Sequence, residues 1–127
     1  MTRILIASDS PPVRRGLGTL LGLNSGWHVC GEAVDGADAV EKAHQLTPDL
    51  ILMDFSMPQM NGVQAAREIA KSGTDIPILL FSLNLSPQIM EMARNAGLRD
   101  AISKAEISKL PYAIRAIQSG ETFFLAS

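Results

Sequence analysis

A chain of 127 residues, 46% hydrophobic and 19% charged, is long enough for one sizeable core and too apolar for a disordered segment. A net charge of −2 argues against a basic nucleic-acid surface, and the single cysteine, Cys30, excludes an internal disulfide or a cysteine-rich metal site. No apolar run approaches membrane-spanning length, and Ile4-Leu5-Ile6-Ala7 is too short for a signal peptide with Asp9 following at once. A cytoplasmic location with no membrane partner is therefore expected.

Taken in chain order, Ile4-Leu5-Ile6-Ala7 reads as a strand buried on both faces, ending in Ser8-Asp9-Ser10. Ser10 is placed to cap a helix that opens with Pro11-Pro12. Val13, Leu17, Leu20 and Leu21 fall on one side of that helix up to about Leu23, although Gly16, Gly18 and Gly22 each weaken it by about 1 kcal/mol against alanine. Residues 27–34 form a second strand, with Val29 and Cys30 in the core and His28 exposed. Ala39, Val40, Ala43 and Leu46 predict a helix closed by Pro48. His44 on that helix has no second ligand at helical spacing and reads as a surface residue. Leu50-Ile51-Leu52-Met53 is a third strand that stops abruptly at Asp54, and Ser56 to Gly62 holds Pro58 and Asn61, which is loop chemistry.

Val63, Ala66, Ile69 and Ala70 mark the inward face of a third helix ended by Ser72-Gly73. Residues 76–81 are a fourth strand ending at Ser82. Ser86-Pro87 opens a fourth helix with Ile89, Met92, Ala93 and Ala96 inward and Gly97 as its C-cap. Residues 100–103 form a short fifth strand followed by Lys104. Ser108 is placed to cap a last helix with Leu110, Ile114 and Ile117 inward, ended by Gly120. Residues 121–127 form a tail containing Phe123 and Phe124.

Five strand–helix alternations predict a parallel sheet with helices on both faces and right-handed crossovers. Sites in such sheets form outside the carboxyl ends of the strands. Those ends carry Asp9, Asp54, Ser82 and Lys104. Two carboxylates close together repel unless a cation lies between them, and oxygen ligands without sulfur or imidazole suit magnesium. A lysine ammonium and a serine hydroxyl are good partners for phosphoryl oxygens. Together these residues form a site for phosphoryl transfer to Asp54.

The ordered set of Asp9, Asp54 with Met57-Pro58 and Asn61-Gly62, Ser82 and Lys104 resembles the receiver domain of bacterial two-component response regulators, the CheY-like superfamily. The likeness covers essentially the whole chain and implies a single doubly wound, flavodoxin-like α/β/α domain with sheet order 2-1-3-4-5. It implies a receiver domain over residues 1–120, with residues 121–127 as a tail or the start of a linker. By the same resemblance, Asp54 takes a phosphoryl group from a sensor histidine kinase. Asp9, Asp54 and the backbone carbonyl of Ser56 hold Mg2+, with Ser8 acting through water. Ser82 and Lys104 contact the phosphoryl group. Such a domain catalyses only its own phosphorylation and dephosphorylation and turns over no separate substrate. Residues 113–122, Ala-Ile-Arg-Ala-Ile-Gln-Ser-Gly-Glu-Thr, resemble the receiver ends of LuxR/NarL-type transcription factors. In these, activation leads to a homodimer, and a helix-turn-helix output domain, absent from this chain, binds DNA. The receiver itself binds no nucleic acid.

Two positions depart from the family pattern. Ser8 stands where an acid is usual, which predicts weaker magnesium binding. Ala101 stands where an aromatic ring is common, which predicts a smaller conformational switch. The competing reading is a degenerate receiver acting as a phosphorylation-independent interaction module. An unrelated nucleotide binder is disfavoured because Asp9-Ser10-Pro11-Pro12 offers no glycine-rich phosphate cradle.

Overall fold

The computed structural model describes residues 1–121; the tail residues Phe123 and Phe124 lie outside that range. The strands are β1 (Thr2–Ala7), β2 (Trp27–Ala33), β3 (Leu50–Asp54), β4 (Ile78–Ser82) and β5 (Asp100–Ser103). They pair in parallel in the order β2-β1-β3-β4-β5, as expected of the doubly wound, flavodoxin-like class. The helices are α1 (Pro11–Gly22), α2 (Gly36–Leu46), α3 (Gly62–Lys71), α4 (Pro87–Asn95) and α5 (Leu110–Gln118), with a 3-10 segment over Lys104–Lys109.

β3 and β4 are buried along their whole length, which is why their sequences are unbroken apolar runs rather than alternating ones. The side chains of β1, β3 and β4 divide between two cores. Leu5, Ile51, Met53 and Leu80 pack with Ala43, Val63, Ile69 and Ala93 under α2, α3 and α4. Ile4, Ile6, Leu52 and Phe81 pack with Leu17, Leu21, Ile114 and Ile117 under α1 and α5. Each large aliphatic side chain buried in this way contributes about 1.5–3 kcal/mol. The result is three layers whose strands all point their carboxyl ends to one rim.

The helix starts follow the local chemistry. Ser10 Oγ accepts from the Val13 amide at 3.3 Å, and Ser86 Oγ accepts from the Ile89 amide at 3.2 Å. α2 ends at Thr47, which adopts φ 42° just before Pro48. Arg3 crosses from β1 to satisfy the orphan carbonyls of that turn, donating to Leu46 O at 2.6 Å and Thr47 O at 3.1 Å.

Four local expectations are corrected. Val29 and Cys30 are only half-buried, because β2 is an edge strand and a bulge pairs Ile4 with Val29 but Leu5 with Gly31. Ala70 is exposed, and Ala65 takes its place inside α3. β4 starts at Ile78, after Pro77, which has no amide proton to give a ladder. Ser108 does not cap α5: the chain turns directly from β5 into the 3-10 segment, where Ser103 Oγ accepts from the Ala105 amide at 3.2 Å, and α5 begins without a side-chain cap.

A carboxylate centre at the carboxyl edge of the sheet

Asp54 is the last residue of β3 and is 1% exposed, so its carboxylate depends on protein partners. Three reach it. Lys104 Nζ lies 3.2 Å from Oδ2 and Ser8 Oγ donates to the same oxygen at 3.0 Å, while the Ser56 amide donates to Oδ1 at 3.2 Å. One oxygen is thus held by an ammonium and a hydroxyl, the other by a single amide. The Lys104 ammonium also sits 5.5 Å from the centre of the Phe81 ring.

The surrounding elements fix this arrangement. Ser8 follows β1 and is fully buried; its Oγ accepts from the Ser10 amide at 3.2 Å while donating to Asp54. Arg14 on α1 donates to the Ser8 carbonyl at 2.7 Å and to Glu32 at 2.9 Å, tying the end of β1 to α1 and to β2. The loop after β3 is clamped at both ends. Phe55 N donates to Phe81 O and Gly62 N to Phe55 O, each at 2.9 Å. Asn61 and Gln64 exchange side-chain and backbone bonds in a capping box at the start of α3. Gly62 is required by close approach: a Cβ there would lie 2.4 Å from the Asp54 carbonyl oxygen.

The other expected residues stand as follows. Asp9 is exposed immediately beyond Ser8. Ser82 is buried at the end of β4, but its Oγ donates to Asn84 O at 3.3 Å rather than to Asp54. Ser8 also contacts the Asp54 carboxylate directly. Arg14 was missed; its signal was a basic side chain in a first helical turn, where the dipole favours acids. The expected metal ligands, Asp9, Asp54 and the Ser56 carbonyl, all offer oxygen, and among the described residues no cluster of three or more His, Cys, Asp or Glu side chains could hold a metal ion. One or two carboxylates with carbonyl and water is a set that fits magnesium.

A flavodoxin-like sheet presenting a buried, lysine-paired aspartate at its carboxyl rim is the class of a phospho-accepting signalling domain. The profile of the response regulator receiver domain matches residues 4–120, and the chain belongs to that family. The response regulator protein VraR of Staphylococcus aureus is 35% identical over 123 residues, spanning 96% of this chain and 59% of VraR. A LuxR-family two-component response regulator from Aurantimonas sp. SI85-9A1 superimposes with a TM-score of 0.92 at 30% identity, over 96% of this chain and 88% of the other. The signal receiver domain of the putative response regulator NarL from Mycobacterium tuberculosis gives a TM-score of 0.78 at 33% identity, over 81% and 83% of the two chains. The relatives are thus regulators of the LuxR/NarL type, and the chain spans less than two thirds of the VraR sequence that it matches.

Proposed function

We propose that Asp54 accepts a phosphoryl group from the phosphohistidine of a sensor kinase and that the domain signals by the resulting change of surface. The observation that carries this reading is the Asp54–Lys104 pair on Oδ2, with Oδ1 held by one backbone amide. The less engaged oxygen, Oδ1, attacks phosphorus. An O–P bond forms as the N–P bond of phosphohistidine breaks, and the leaving imidazole takes up a proton. Lys104 moves from the carboxylate to the new phosphoryl oxygens, and Ser82 leaves Asn84 O to donate to the phosphoryl group. Asp9, Asp54 and the carbonyl of Ser56 are the residues that would hold Mg2+, with Ser8 bordering the ion through water. The bound ion supplies neutralisation of charge on the phosphoryl oxygens.

Residues 1–120 act as the receiver, and the following segment leads toward an output domain of the helix-turn-helix kind, through which DNA is bound after homodimerisation. The setting is cytoplasmic; among the described residues no helix is long and apolar enough to cross a membrane. Ser8 favours a second reading, because a neutral hydroxyl engages Asp54 where the family commonly carries a second acid. In that reading the domain is a phosphate-independent interaction module. Labelling by acetyl phosphate with and without magnesium separates the two. The phospho-acceptor reading predicts magnesium-dependent incorporation that falls sharply in Lys104→Ala. Failure of the folded protein to incorporate phosphate from acetyl phosphate or from a kinase phosphohistidine domain would leave the interaction module.

A further inference from the structure

Away from Asp54, a cavity of about 750 Å3 opens between the loop before α4, β5, and the 3-10 segment leading into α5. That volume lies within the range of small-molecule pockets. Its walls are Leu85, Met90, Ala101, Ile102, Tyr112 and Ala113. Ala101 keeps part of this space open, since a ring at that position would narrow the cavity. The cavity also holds a charge that the apolar walls do not explain. Asp100, the first residue of β5, is 1% exposed and lines it. Its Oδ1 accepts from the Ala101 amide at 2.7 Å. Cations close to it in sequence are engaged elsewhere: Arg99 pairs with Asp75 at 3.5 Å and Lys109 with Glu106 at 2.7 Å.

We propose that this cavity is a binding site for a small amphiphilic amine, with a compact aromatic or branched apolar body and an ammonium group that reaches Asp100. The ammonium gives the buried carboxylate a charge-assisted partner, and the apolar body displaces water from the walls. An anionic ligand of the same shape would meet the Asp100 carboxylate and be disfavoured, since the nearby Glu106 and Lys109 already neutralise each other. Burial holds the Asp100 carboxyl up at about 7, which fits a group lacking a cation. The other titratable groups lining the cavity are Glu106, Lys109 and Tyr112; Leu85 and Met90 face it from the α4 side, and Leu79 pairs with Asp100 from β4.

The test is a titration of the intact chain with 2-phenylethylammonium, followed by amide NMR shifts and calorimetry. 3-Phenylpropionate and N-acetyl-lysine methylamide serve as comparison probes. Saturable shifts at residues 100–103 and Tyr112 are expected from the amine and not from the anion. Affinity rises about tenfold between pH 6 and pH 8 as Asp100 ionises. It drops about tenfold in Asp100→Asn, which loses a charge-assisted bond, and is weakened in Ala101→Phe, which narrows the cavity beside Asp100. Should Asp100→Asn fail to fold, Ala101→Phe and the pH series decide. No saturable binding below about 10 mM overturns the proposal, as does equal affinity in the folded variants. Equal binding of the lysine derivative also overturns it, because a protein side chain would then be the occupant.

Discussion

At the scale of single residues, the chemistry of the site turns on Ser8. Its hydroxyl donates to Asp54 Oδ2 at 3.0 Å in the place where the family commonly carries an acid. A carboxylate there would add a unit of negative charge near the proposed cation. At a separation of about 4 Å and an effective dielectric of about 20, that charge is worth at most about 8 kcal/mol of attraction to a divalent cation before its own desolvation is subtracted. Ser8→Asp is therefore expected to tighten magnesium binding by about tenfold or more, read by calorimetry. Trp27 fluorescence is a poor substitute, because Trp27 starts β2 at the opposite end of the sheet. Ser8→Ala removes a donor from a buried carboxylate and should lower stability by about 1–3 kcal/mol in denaturant unfolding. Asp54 was legible in the sequence because it directly follows an apolar run, and Asp9 and Lys104 because each stands one serine beyond the apolar residues of its strand. The direct bond from Ser8 to Asp54 was not legible: it joins residues 46 apart in sequence and depends on how β1 sits beside β3.

At the scale of elements, α1 and β5 are the informative ones. α1 carries three glycines, and a Cβ built on Gly18 meets nothing within 4 Å. Gly18→Ala should raise stability by about 0.5–1 kcal/mol and the melting temperature by a few degrees, measured calorimetrically. β5 carries the opposite kind of residue. Asp100 is raised from 3.8 to about 7 by burial, so the native state retains a proton that the unfolded chain has released. Between about pH 4 and pH 7 the unfolded state binds fewer protons, so stability falls as pH rises and then levels off. A shift of that size corresponds to a loss on the order of 4 kcal/mol from this group. Subtracting the unfolding free energies of Asp100→Asn from those of the native chain across pH 4–8 should isolate this slope. A flat difference would mean that Asp100 ionises normally in the folded protein. Helix and strand identity were readable from apolar periodicity, and the caps at Ser10 and Ser86 from local chemistry. The Ser108 cap failed because the 3-10 segment is set by how β5 hands over to α5, which no local pattern encodes.

At the scale of the whole molecule, both cores meet at one sheet, and the rim of that sheet carries the site. Movement of Ser82 from Asn84 O toward a phosphoryl group would pull the β4–α4 loop, and Lys104 would pull the end of β5. α4 is the element best able to respond, since Ala93 is its only fully buried residue among those described. With Ala101 in place of a ring, the shift is expected to be small. Sedimentation with beryllofluoride and magnesium should show a dimer that is absent without the mimic and is lost in Ser82→Ala. The sheet order was legible through the family resemblance, whereas strand alternation alone left several parallel orders open.

The most direct test of the central claim is peptide-level mass spectrometry of the protein after acetyl phosphate and magnesium, with borohydride trapping of the acyl phosphate. A single modified site at Asp54, absent in Asp54→Asn, is the predicted result. Trapping at another residue, or unchanged labelling in Asp54→Asn, would contradict the assignment of Asp54 as the phosphoryl acceptor.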